Sequence, residues 1–118
     1  MRFIQQFIHL SVLFLFITPL IHSTDFYVDK NATGQNNGTS WANAWKSFSN
    51  INWGSVAAGD IINISGGNDS TVYFETLNIN DAGTTNNYIT IRGAIDAGHN
   101  GKVIIDGSDS RSHCILIE

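Results

Sequence analysis

Short apolar runs separated by polar turn residues make up most of this chain. After Gly59, five brief runs rich in β-branched residues alternate with Gly, Asn and Asp, and each is about long enough for one strand. They span residues 60–64, 76–79, 88–91, 102–105 and 113–117, and an earlier run spans 25–29. Alternation within a run places one set of side chains on a single face, as where Ile89 and Ile91 flank Thr90. The pattern predicts an all-β fold.

Two all-β architectures fit strands of this length: an antiparallel sandwich and a parallel solenoid. From Ile79 onward the centres of the runs recur at about a dozen residues, which both architectures allow. The two-residue hairpin signals that an antiparallel meander needs are poor, and Asn100-Gly101 is the best of them. We therefore favour the parallel solenoid.

One amphipathic helix is predicted ahead of the regularly spaced strands. Thr39 or Ser40 offers an N-cap oxygen for it. Its apolar face recurs at i, i+3, i+4 and i+7, with Trp41, Ala44, Trp45 and Phe48. A helix at this position would cover the open end of a solenoid, which otherwise exposes an apolar layer and unpaired backbone groups. The helix therefore supports the choice of a solenoid.

The first residues have the order of a secretory signal peptide. Arg2 supplies a positive charge, residues 7–17 are mostly apolar, Pro19 breaks the run, and Ser23 and Thr24 follow. The apolar run is shorter than the ~20 residues that cross a bilayer, and it lacks the polar face of a buried amphipathic helix. We predict a signal peptide over 1–23 with cleavage after Ser23. The mature chain is then secreted, extracellular or at the cell surface, with no transmembrane segment.

Composition and charge limit the classes of binding partner that the chain can have and the ways in which it can be stabilised. The formal net charge is −4 and basic residues form no cluster, which argues against nucleic acid and anionic membranes as partners. Eleven glycines suit many tight turns. Cys114 is the only cysteine, so no internal disulfide can stabilise this small domain. We expect stability to come from stacking onto more chain, so that this sequence is a fragment; a small complete secreted β-domain is the alternative.

Several stretches carry a family resemblance. They are Tyr27-Val28-Asp29, Gly38-Thr39-Ser40-Trp41-Ala42 with Ala44-Trp45-Lys46, Ala58-Gly59-Asp60-Ile61-Ile62, Tyr88-Ile89-Thr90-Ile91-Arg92-Gly93 and Val103-Ile104-Ile105-Asp106-Gly107-Ser108. Together they resemble the amino-terminal start of right-handed parallel β-helix proteins of the pectate-lyase-like superfamily. The resemblance implies a strand, loop and capping helix over 24–58, and the first coils of an incomplete β-helix domain over 59–118.

The resemblance implies architecture more than activity. Many members of the superfamily are carbohydrate-active lyases, hydrolases or epimerases, and others are surface or adhesive proteins. Their catalytic groups usually lie on later coils, and no stretch here matches a catalytic motif. We expect a monomeric, secreted protein that binds or processes polysaccharide, with this segment structural and its catalytic residues unknown. The alternative is a non-enzymatic, adhesin-like surface solenoid. No cofactor or metal site is evident, and the resemblance alone admits calcium.

Charged residues near the strands are candidates for sugar chemistry. A lyase needs a base and a cation, for which Arg92, Lys102, Asp106 and Asp109 lie nearest the strands. A glycoside hydrolase needs two facing carboxylates, and the candidates for these are Asp81, Asp96 and Asp106, if they align on successive coils. No cluster is visible, so we interpret the cations as solvated strand-end residues and the carboxylates as turn formers.

The remaining motifs are explained by structural roles or by chance more simply than by a functional site. A calcium-binding repeat resembles the stretch Gly66-Gly67-Asn68-Asp69, but that stretch occurs only once in the sequence. His99 and His113 lack metal-ligand spacing with Cys114. We expect Cys114 to be a small buried apolar residue. The three tryptophans would seal the solenoid end rather than stack on sugars. Four Asn-x-Ser/Thr triplets begin at residues 31, 37, 63 and 68, and Asn63 is a poor acceptor because it lies in a predicted strand.

Overall fold

A computed structural model describes residues 13–15 and 22–118 of the chain. The predicted signal peptide, residues 1–23, lies outside the described residues except at 13–15, 22 and 23. Leu13 and Leu15 are exposed. Within these described ranges, no helix is long and apolar enough to cross a membrane.

The described part of the chain is built from short strands and two turns of 3-10 helix. The strands are β1 (Asp25–Val28), β2 (Ile61–Ile64), β3 (Ser70–Tyr73), β4 (Leu77–Ile79), β5 (Gly83–Thr84), β6 (Asn87–Tyr88), β7 (Thr90–Gly93), β8 (Lys102–Ile105) and β9 (Ile115–Ile117). The 3-10 turns span Phe48–Asn50 and Trp53–Ser55. The predicted all-β class is therefore confirmed.

Most strands pair in parallel across three small sheets. The first sheet has the order β1-β2-β7, the second pairs β3 with β8, and the third pairs β4 with β9. The chain thus visits the three sheets in the same order twice, as β2, β3, β4 and then as β7, β8, β9. Between these two passes, β5 and β6 form an antiparallel hairpin.

One apolar core joins the sheets. Phe26, Ile62 and Ile91 lie opposite one another in register across the first sheet, and the first two are buried. Because side chains alternate along a strand, every second residue of β1 and β3 faces this core. Other buried members are Val28, Trp45, Phe48, Ile51, Val56, Ile64, Tyr73 and Leu77.

The amphipathic helix predicted through residues 41–48 is wrong, since no α-helix occurs in residues 22–118. Trp45 instead pairs with the edge of β1: its N–H donates to Tyr27 O, and its carbonyl accepts the N–H of Asp29, both at 2.9 Å. The Trp45 ring stacks on Phe26 at 5.1 Å. The apolar spacing thus marks residues of an irregular segment, in which Trp45 covers the outer edge of β1 and Phe48 stacks on Tyr73 of β3.

Asparagine side chains explain why this segment is not helical. Asn36 has a φ of 57°, and its Oδ1 accepts the N–H of Lys46 at 2.7 Å. Asn43 Oδ1 accepts the N–H of Gln35 at 2.9 Å, and the main-chain carbonyl of Asn43 accepts the N–H groups of Asn37 and Gly38. Such side-chain and loop hydrogen bonds compete with the i to i+4 bonds of a helix.

We predict that Gly38→Ala destabilises the fold by about 2 kcal/mol or more. Gly38 has a φ of +75°, and a Cβ there would lie 2.6 Å from the ring of Trp45. Gly54→Ala is the matched control, because its Cβ would meet nothing closer than 3.4 Å. Urea-induced unfolding followed by tryptophan fluorescence measures both variants. Equal unfolding midpoints for Gly38→Ala and the wild type would contradict the described packing of Trp45.

Candidate functional site

A cleft of about 250 Å³ lies between the two 3-10 turns and the third sheet. Two short stretches of chain form its walls. Its lining residues are Phe48, Ser49, Ile51, Trp53, Thr76, Asn78 and Asn80. The walls are brought together because the segment before β2 packs along β4.

Local pairing fixes each wall of the cleft. In β4, the buried Leu77 faces the core, so the alternate residue Asn78 is exposed on the cleft side. On the opposite wall, the N–H of Phe48 donates to Glu75 Oε2 at 2.8 Å, and the Phe48 ring stacks on Tyr73 at 4.8 Å. Trp53 is half-buried and presents part of its indole to the cleft.

The chemistry of the cleft is neutral and amphipathic. None of the described residues that line it has an ionisable side chain. The amides of Asn78 and Asn80 supply hydrogen-bond donors and acceptors, and Trp53 supplies an aromatic surface. The hydroxyl of Thr76 already donates to His113 O at 2.7 Å. This arrangement suits binding of a neutral polyhydroxylated molecule, and it offers no group for acid–base catalysis.

A second polar group surrounds His99. Its Nδ1 lies 2.9 Å from Ser65 Oγ and 3.4 Å from Asp29 Oδ2. A catalytic Ser-His-Asp triad uses the two opposite ring nitrogens, one for each partner. Because one nitrogen of His99 faces both partners, this group cannot work as that relay. Ser65 is also only 1% exposed, so a substrate would not reach its hydroxyl.

Trp41 belongs to the same group and covers it from outside. Its ring stacks on the His99 ring at 3.8 Å, and its Nε1 donates to Asp96 Oδ2 at 2.8 Å. Tyr27 meets the edge of Trp41 at 4.6 Å. Partial burial, with the Asp25 and Asp96 carboxylates, raises the pKa of the Tyr27 hydroxyl. This group was not predicted from the sequence, because residues 29, 65 and 99 are far apart along the chain and meet only where successive passes of the chain stack on one another.

The charged candidates for sugar chemistry do not form a cluster. Asp81, Asp96 and Asp106 follow β4, β7 and β8, which belong to three different sheets, so they do not align on successive passes. Asp81 accepts the N–H of Gly83 at 3.0 Å, and Asp106 accepts that of Ser108 at 2.7 Å. Both carboxylates therefore shape turns, as we predicted.

The other charged candidates have separate structural surroundings. Arg92 Nε donates to Asn63 Oδ1 at 2.8 Å, on the outward side of the first sheet. Lys102 is exposed at the start of β8. Asp109 lies in a turn with a φ of 51°. These residues do not meet in a way that would serve a lyase reaction.

Metal ligands are equally dispersed. In residues 13–15 and 22–118, no group of three His, Cys, Asp or Glu side chains could hold a metal ion. Cys114 is exposed, so the prediction that it is buried is wrong. It precedes β9, whose residues are mostly exposed. Calcium remains an implication of the resemblance alone.

The Asn-x-Ser/Thr triplets differ in accessibility. Asn63 is 3% exposed, and its side chain is held by Arg92 and by the carbonyl of Phe26, so the folded protein would not present it to a glycosyltransferase. Asn31, Asn37 and Asn68 are exposed.

No protein-family model matches this chain, and no curated protein and no solved structure matches it. The resemblance to pectate-lyase-like β-helix proteins therefore stays a prediction.

Tyr73 gives a pH-dependent test of the polar group around His99, Ser65 and Asp29. Its hydroxyl donates to Ser65 O at 2.8 Å, and burial, reinforced by Asp29, raises the pKa of this tyrosine well above its usual value. Tyrosine in the unfolded chain ionises near pH ~10. The stabilising effect of the neutral hydroxyl is therefore complete below that pH and is lost as the pH rises above it.

We predict that Tyr73→Phe lowers the free energy of unfolding by about 1 kcal/mol at pH 7. At pH 11 the difference from the wild type should shrink by ~1 kcal/mol and so nearly vanish, because only the wild type has a hydroxyl at residue 73 to ionise. Urea unfolding at the two pH values measures this. Tyr88→Phe is the control, since Tyr88 is 67% exposed. A difference independent of pH would contradict the burial of the Tyr73 hydroxyl.

Proposed function

We propose that this chain is exported and that residues 24–118 form the start of a polysaccharide-binding, right-handed parallel β-helix. In this proposal, residues 24–58 cap one end and residues 59–118 form the first coils. The observation that carries it is the double passage through three parallel sheets in the same order.

The register of the strands supports stacked coils. Asn63 and Arg92 are 29 residues apart and lie directly opposite each other in the first sheet. Parallel neighbours need a crossover connection, and here the crossover contains β3 and β4 of the other two sheets and the hairpin of β5 and β6. Crossovers between parallel strands of one sheet are right-handed in the great majority of proteins, which supports the proposed hand.

The distribution of burial supports a capped end and a continuing end. Leu77 is 3% exposed, whereas its register partner Ile115 on the next pass is 52% exposed. Ile117, at an equivalent position two residues further, is 71% exposed. On the opposite side, Trp45 pairs with β1 and is 2% exposed. A further coil of the same protein would bury the exposed row and pair with the edges of β7, β8 and β9.

The cleft supports the polysaccharide part of the proposal. Half-buried indole and exposed amides suit the apolar faces and hydroxyls of a sugar, and the cleft contains no ionisable group among its described lining residues. We therefore assign binding rather than turnover to this cleft. If the whole protein is an enzyme, its acid and base lie on further coils.

We predict that a neutral oligosaccharide binds at the cleft and changes the fluorescence of the protein. Trp53→Ala should weaken binding at least ~10-fold through loss of the aromatic surface. Asn78→Ala should weaken it ~3- to 10-fold through loss of amide hydrogen bonds. Titrations with a panel of neutral and uronic-acid oligosaccharides measure this.

Asn50→Ala is the control for these titrations, because Asn50 is exposed on the adjacent 3-10 turn but does not line the cleft. Its affinity should equal that of the wild type. Absence of binding to every sugar in the panel, or equal weakening by Asn50→Ala, would contradict a binding role for the cleft.

A further inference from the structure

The buried carboxylate of Asp60 accepts a hydrogen bond from the backbone N–H of Thr24, the residue before β1. Asp60 is 3% exposed, and its Oδ1 accepts the N–H of Thr24 at 2.8 Å. Its Oδ2 accepts the N–H of Ala57 at 2.7 Å. Two neutral amides therefore hold this carboxylate, and no described Lys, Arg or His forms an ion pair with it.

Thr24 would be the first residue of the mature chain. The predicted signal peptide ends at Ser23, so the amide nitrogen that donates to Asp60 is the nitrogen that cleavage would release. Hydrolysis of the Ser23–Thr24 bond consumes one water molecule. It leaves a carboxylate on Ser23 and an amine on Thr24, which takes up a proton at neutral pH.

We infer that signal-peptide cleavage creates an ion pair between the α-ammonium group of Thr24 and the carboxylate of Asp60. This inference rests on the proposed export of the chain. A neutral N–H···O bond becomes a charge-assisted one, which is shorter and stronger. Thr24 itself is exposed, so the ammonium group keeps contact with water while Asp60 supplies the opposite charge from the buried side.

The pair joins the start of the mature chain to both passes of the first sheet. The carbonyl of Thr24 accepts the N–H of Ile61 at 2.9 Å, and the carbonyl of Asp60 accepts the N–H of Thr90 at 2.9 Å. An interaction at Asp60 therefore acts where β1, β2 and β7 begin. Cleavage also removes the Ser23 hydroxyl, which donates to Gly59 O at 2.8 Å in the uncleaved chain. The new charge on Thr24 offsets the loss of that contact.

The first arm of the test locates the cleavage. The full chain is expressed in a secreting host, and the N-terminus of the protein in the medium is determined by intact mass and Edman sequencing. The expected first residue is Thr24. A different first residue would overturn the ion pair but leave export intact. An uncleaved protein retained in the cells would contradict export itself, which the proposed function requires.

The second arm isolates the charge. The chain that begins at Thr24 is compared with the same chain acetylated on the Thr24 amine, which keeps an N–H donor and removes the positive charge. Acetylation should lower Tm by about 3–6 °C in the wild type and by less than about 1 °C in Asp60→Asn. An equal effect of acetylation in both proteins, or no effect in the wild type, would overturn the inference.

Salt provides the readout should Asp60→Asn fail to fold. The Tm difference between the free and acetylated wild-type chains should fall by about half or more between low salt and 1 M NaCl, because salt screens a partly exposed pair. A difference that does not change with salt would show that acetylation acts sterically, and it would overturn the ion pair.

Discussion

The strand at the end of a sheet has one backbone edge without a neighbouring strand, and the fold of this chain depends on how the outer edge of β1 is paired. Trp45 fills the outer edge of β1 with two backbone hydrogen bonds, while its ring stacks on Phe26. Lys30 Nζ donates to Val72 O and so covers part of β3 on the same side. With that side closed, apolar side chains of the first pass can be buried without a disulfide, although residues 29–60, which close it, contain only 3-10 turns and no α-helix.

Buried polar side chains add further links between neighbouring strands and loops, beside the backbone hydrogen bonds of the sheets. Asn63 reaches from β2 to the carbonyl of Phe26 in β1, and it accepts a hydrogen bond from Arg92 in β7. Asp29 accepts the N–H of Asn31 and faces His99. In the part of the chain that the structure describes, every buried side-chain nitrogen and oxygen has a partner. Satisfied groups of this kind fix register, because moving one strand by a residue would leave several of them unpaired.

The strands were predictable from the sequence because alternation of side chains is a local property. The runs at 60–64, 76–79, 88–91, 102–105 and 113–117 overlap β2, β4, β7, β8 and β9. Strand β3 was missed because Ser70 and Thr71 follow a Gly- and Asn-rich turn and lack an apolar run. The hairpin of β5 and β6 was also missed, since its turn uses Asn86 with a φ of 66° instead of an Asn-Gly pair. Trp45 showed helical spacing, but pairing with β1 outweighed it.

The candidate site was much less predictable than the strands. The cleft joins residues 48–53 to residues 76–80, and only the packing of the first segment along β4 brings them together. Trp53 was noted as an aromatic side chain, but its asparagine partners had no signal among the many asparagines of the chain. The Asp60 contact was hidden for the same reason, because it joins residues 36 positions apart.

Hydrogen exchange along β7 tests the stacked parallel passes most directly. In a parallel pair, alternate residues bond to one neighbour and the residues between them point away. Thr90 N donates to Asp60 O, so Thr90 and Arg92 should be protected in this chain, whereas Ile91 and Gly93 should exchange quickly. Alternating protection is the predicted result. Uniform protection would mean that another strand covers this edge, and uniformly fast exchange would mean that β7 does not pair with β2.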